Sequence, residues 1–145
     1  MNESILMTAS EFQQTGGHNV VINNLSKEIS DLGYSVTIGA FSFKEKPSEG
    51  IDHLKIKKNP LKKNEWQDKF NLIHNHETKL NYYSLYSKKP FIFHYHGVMG
   101  QIQKINLSIS LKLCQRHISN IISVSDSALS DISKNTKEKI PTLGI

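Results

Sequence analysis

The chain has 145 residues, enough for one domain with a sizeable core and too short for two of ordinary size. Eighteen Lys and Arg against 13 Asp and Glu leave a formal charge of +5, and 37% hydrophobic with 8% aromatic residues excludes a disordered or fibrous chain. The single cysteine, Cys114, excludes an internal disulfide, no apolar run approaches the roughly 20 residues of a membrane span, and Met1-Asn2-Glu3-Ser4 lacks a signal peptide's basic start. The protein is therefore expected in the cytoplasm.

Short apolar runs alternate with amphipathic stretches, the pattern of an α/β fold with a doubly wound, Rossmann-like parallel sheet and helices on both faces. Ser4 to Thr8 reads as a first strand. A polar loop through Gly16-Gly17 leads to a helix from about His18 to Leu32, whose Val21, Leu25, Ile29 and Leu32 share one face. Gly33 stands where a helix C′ glycine belongs. Val36 to Phe41 is a second strand and Ile51 to Lys57 a third, expected at an edge. Leu72 to His76 and Phe91 to His96 are two more, each apolar at its start and polar at its end. In open parallel sheets the carboxyl ends of the strands face the ligand crevice, so that gradient points to a site. A long helix is expected from Gly100 to Ile118, burying Ile102, Ile105, Ile109, Leu113 and Cys114. Ile121 to Val124 is a sixth strand, Asp126 or Ser127 can cap a helix running to about Lys134, and Ile140 to Ile145 begins another extended run.

Gly16-Gly17 lies between a strand and a helix, where backbone amides and the helix's positive end can hold a phosphate, although an ordinary tight connection uses the same pair. There is no G-x-G-x-x-G, no acid closing the second strand and no P-loop lysine, so neither nucleotide fingerprint is present. The second constellation is histidine. Residues two apart on a strand share a face, so His74 pairs with His76 and His94 with His96 at the ends of expected neighbours. Four imidazoles crowding one crevice could bind a metal, do acid–base chemistry or bond sugar hydroxyls and phosphate oxygens; they could also simply bond backbone carbonyls and water. Gly97 after His96 lets a ligand or another backbone come close. No H-E-x-x-H follows His76, and no metal site is assigned. Ser123, Ser125, Asp126 and Ser127 can line the crevice or cap the next helix. The lysines from Lys55 to Lys63 read as a solvated edge that could also approach an anionic membrane surface, and they match no nucleic-acid module.

With these pieces in order, the chain resembles the amino-terminal, acceptor-side domain of family-four retaining glycosyltransferases of the GT-B type. The likeness runs through Gly16-Gly17 and the helix ending at Gly33-Tyr34-Ser35-Val36-Thr37-Ile38, similar to the family's glycine pair, helix and G-H-x-V-T-V. Ile73-His74-Asn75-His76 is like its I-H-x-H strand, Pro90 to Gly97 like P-x-x-x-T-x-H-G, and Ile121 to Ser127 like V-I-A-V-S-E-S. His94 stands where the family usually has Thr.

The resemblance implies that residues 1–145 form one lobe of a two-lobed enzyme transferring sugar from a nucleotide-sugar donor to a glycan, lipid or other acceptor. Carried over by position, His96 would be the catalytic contact to the transferred sugar. The amides of Gly16 and Gly17 would face the donor diphosphate or the acceptor, and His76, Gly97 and Ser125 would line the cleft. It further implies no cofactor beyond the nucleotide sugar, no metal, and a partner in the form of a second GT-B lobe or another chain. The donor-binding lobe with its E-x7-E motif is not among these residues, so they are expected to be inactive alone. Two other readings stay open: a non-catalytic Rossmann-like partner module, and a small α/β protein that binds metal through its histidines.

Overall fold

The computed structural model describes residues 3–97, 100–136 and 141–144. Seven strands form one parallel sheet: β1 (Ser4–Phe12), β2 (Ser35–Phe43), β3 (Asp52–Lys55), β4 (Leu72–Asn75), β5 (Phe91–Tyr95), β6 (Asn120–Ser123) and β7 (Thr142–Gly144). Their order is β3-β2-β1-β4-β5-β6-β7. The helices are α1 (Gly17–Asp31), α2 (Gln101–Cys114) and α3 (Asp126–Asn135), with 3-10 segments at Glu65–Asp68, Thr78–Tyr86 and Gln115–His117. The doubly wound class and the edge position of β3 are as the sequence predicts. Of the expected run Ile140 to Ile145, Thr142–Gly144 is strand, and Ile140 and Ile145 lie outside the described residues.

Alternation along the strands divides the apolar residues into two cores, one per sheet face. Ile5, Met7, Ala9, Val36 and Ile38 bury against Ile22 of α1, while Leu6, Ile73, Phe91, Phe93 and Ile121 pack with Leu107 and Leu111 of α2 and Ile132 of α3. β1 runs four residues past the predicted Thr8, because Phe12 pairs with Phe43 of β2 and their rings meet at 5.9 Å. α1 ends in a Schellman turn: the amides of Gly33 and Tyr34 donate to the carbonyls of Ser30 and Ile29, with Gly33 at φ 97°.

Two helix faces differ from the sequence expectation. In α1 the sheet is met by Ile22 and Ser26, with Leu25 and Ile29 at the flanks, while Val21 and Leu32 are exposed. Ser26 is small enough to let the helix axis approach the strands, and Leu32 belongs to the capping turn rather than to the helix. In α2 Cys114 is buried as expected, but Ile102, Ile105, Ile109 and Leu113 of the predicted stripe are exposed, and Leu107, Ser110 and Leu111 are buried instead. Asn81, fully buried in the adjoining 3-10 segment, donates to Ser110 Oγ at 3.3 Å. A buried amide needs a partner, and only this rotation of α2 provides the serine. α2 also stops at Cys114, short of Ile118, where the chain tightens into the 3-10 turn. α3 is capped one residue earlier than expected, by Ser125, whose hydroxyl accepts from the Ala128 amide at 3.1 Å.

Candidate functional site

The strand order reverses between β1 and β4, and a doubly wound sheet opens a crevice at the carboxyl ends of the strands where that happens. The Thr8 carbonyl of β1 accepts from the His76 amide at 3.1 Å, carrying the β1–β4 ladder one step beyond the strand and fixing His76 at this border. Beneath it, the Asn75 side chain accepts from Thr8 Oγ1 and donates to Asn81 Oδ1 and the Glu77 carbonyl, so the turn after β4 is held by a buried polar network. That network aims Glu77 into the crevice. The Glu77 carboxylate accepts from the amide and hydroxyl of Ser10, both at 2.8 Å, and meets His18 Nε2 of α1 at 3.2 Å. One side chain thus joins β1, β4 and the first turn of α1. Burial alone would raise its pKa; the bonds from His18 and Ser10, with Lys79 nearby, outweigh burial and hold it at about 2.

The four strand-end histidines come together as their spacing predicts. His74 and His76 share the α1-side face of β4, and His94 and His96 continue it on β5, because Asn75 pairs with Phe93. Adjacent rings lie 4.4 to 5.3 Å apart, and His76 Nδ1 bonds His96 Nε2 at 3.0 Å. His74, His76 and His94 are buried, and His96 is half-buried at the mouth. Burial, reinforced by neighbouring imidazoles, lowers the pKa of His74 to about 3 and of His96 to about 4, and burial lowers His76 and His94 as well. At neutral pH the whole group is uncharged.

A pocket of about 360 Å³ opens here, lined by His76, Glu77, His96, Gly97, Gln103 and His18 among others. Three of the sequence-predicted residues, His76, His96 and Gly97, therefore meet in one cavity. Gly16 and Gly17 form the turn into α1 next to His18, at φ 87° and 52°, conformations that favour glycine. No side chain caps that helix start, so its first amides are offered to the crevice side of the sheet. Ser125 lies at the end of β6, caps α3 and is not among the pocket's lining residues. The residues that sequence reasoning missed are His18, Glu77 and Lys79. Glu77 had a readable signal, since a carboxylate directly after a polar strand end falls in the crevice of a parallel sheet.

The sequence matches no family model and no curated protein. Among solved structures, HepE from Anabaena, crystallised in complex with UDP and glucose, superposes with a TM-score of 0.74 at 15% identity. Sucrose-phosphate synthase from Thermosynechococcus elongatus superposes with a TM-score of 0.70 at 12% identity. Both have the two-lobed GT-B glycosyltransferase architecture. The matches cover 99% of this chain but 44% and 48% of those proteins, so the chain spans less than half of either and has the fold of a single lobe.

Proposed function

We propose that this chain is the acceptor-side lobe of a retaining, family-four GT-B glycosyltransferase, and that the His76–His96 pocket is its half of the transfer site. The observation that carries the reading is the convergence of neutral imidazoles, an ionised carboxylate and an uncapped helix start at the reversal of strand order. The likeness of the fold to half of a protein that holds UDP and glucose supports it.

The residues divide the work by charge. When a glycosidic bond to a nucleoside diphosphate breaks, the leaving phosphate gains negative charge, and preorganised amides at Gly16 and Gly17 with the positive end of α1 would stabilise it. His96, with a pKa near 4, is not a proton donor in the acid–base sense at neutral pH. Its Nε2 is engaged by His76, which leaves Nδ1 to make one directional hydrogen bond to a sugar hydroxyl. Glu77 accepts hydrogen bonds from sugar hydroxyls and keeps His18 in place. Ser125 accepts one bond as a cap and still has a proton to donate across the cleft. The donor and the acceptor are held between this lobe and a second one.

The imidazole NMR signals of the seven histidines offer a direct test on this chain. Titration with UDP-glucose and with free glucose is expected to shift His18, His76 and His96 while the exposed His53 and His117 stay put. Shifts confined to His53 and His117, or none at millimolar ligand, would overturn the assignment.

A further inference from the structure

Below the pocket mouth the structure holds a cluster of three buried histidines, of which His76 alone reaches the pocket wall. His74, His76 and His94 are 6%, 3% and 3% exposed. His74 Nε2, His76 Nε2 and both ring nitrogens of His94 have no hydrogen-bond partner. A buried polar atom left unpaired is costly, so four in one cluster call for a physical reason.

We propose that His74, His76 and His94 form a binding site for one divalent transition-metal ion of the zinc class. One ring nitrogen from each of the three lies within 4.8 Å of the others. Tetrahedral Zn–N bonds of about 2.1 Å place ligand nitrogens about 3.4 Å apart, so the widest pair must close by about 1.4 Å. The rings now lie at interplanar angles from 10° to 33°, so binding requires rotation about χ1 and χ2 to bring their nitrogens to one point.

Chemistry selects the ion. Three neutral imidazoles suit Zn2+, Co2+, Ni2+ or Cu2+, and a set without oxygen ligands does not suit Mg2+ or Ca2+. Neutral imidazole is the form that coordinates such an ion. His76 Nδ1 is held by His96 Nε2 at 3.0 Å, as outer-shell partners hold metal-bound histidines, while its Nε2 is buried without a partner. Three protein ligands leave a fourth position for water, and His76 connects that ion to the wall of the pocket. This departs from the metal-free expectation drawn from the family resemblance, and it does not rest on glycosyl transfer.

The test strips the chain with EDTA, then adds Zn2+ or Co2+ and measures metal content after gel filtration. One ion per chain is expected, and the Co2+ form should show the intense visible bands of a four-coordinate, nitrogen-ligated ion. His94→Leu is expected to weaken Zn2+ binding by about a hundredfold or more, beyond the 10–100-fold typical of losing only an orienting partner. His53→Gln should leave binding unchanged. Weak octahedral Co2+ bands, less than one ion per chain at micromolar Zn2+, or binding unaffected by His94→Leu would each overturn the site. The Co2+ spectrum needs no variant, so a misfolded His94→Leu protein leaves the test intact, and failure of sugar binding has no bearing on it.

Discussion

At the scale of single residues, acid is where this protein is vulnerable. His74 holds a pKa of about 3 in the folded chain against an ordinary 6.5, so between these values the unfolded chain binds the proton and the folded chain does not. Stability therefore falls as pH drops below about 6.5, with a slope approaching about 1.4 kcal/mol per pH unit from His74 alone. His76, His94 and His96 act in the same direction. Glu77, at about 2 against an ordinary 4.5, contributes stability that is complete above 4.5 and is lost as pH falls through 4.5 toward 2. The window from 6.5 to 4.5 thus belongs to the histidines. Urea unfolding in EDTA is expected to give a lower midpoint at pH 5 than at pH 7, and His74→Leu should flatten that difference; an unchanged profile would contradict the neutral cluster. The pairing of the histidines was legible because it depends only on the two-residue strand period. The clasp of Glu77 on His18 and Ser10 was not, since those partners lie 59 and 67 residues away and only the sheet brings them close.

At the scale of elements, α2 shows why apolar periodicity is an incomplete guide. Ile102, Ile105, Ile109 and Leu113 form a proper helical stripe, yet burial went to Leu107, Ser110, Leu111 and Cys114. Two stripes competed, and the one that could satisfy Asn81 and approach closely through small side chains won. Leu111→Ala should therefore destabilise by about 2–5 kcal/mol, as for a large core side chain. Ile105→Gln, which the apolar pattern alone would rank as equally harmful, should stay within about 0.5 kcal/mol. Chemical denaturation of the two variants decides between the faces, and a reversed ranking would refute the observed rotation. The same competition moved the buried face of α1 to Ile22 and Ser26. Strand starts and the Gly33 stop were readable because they depend on local residues alone.

At the scale of the whole molecule, β1 sits between β2 and β4, and that placement makes the crevice by sending α1 and the turn after β4 away on opposite sides. A transfer site of the proposed kind is completed by closure of a second lobe on the donor, so this chain alone is expected to give no transfer from nucleotide sugars above the buffer background. Detectable turnover by the purified 145 residues would show that the site is already whole. Among the described residues no helix is long and apolar enough to cross a membrane. The order of strands and helices, the parallel α/β class and the shared faces of the paired histidines were determined by the sequence alone, because each follows from spacing within one short segment. Which helix face was buried, and which strand ends met around Glu77, was decided only by the tertiary structure, because burial and charge pairing depend on what the rest of the chain places opposite.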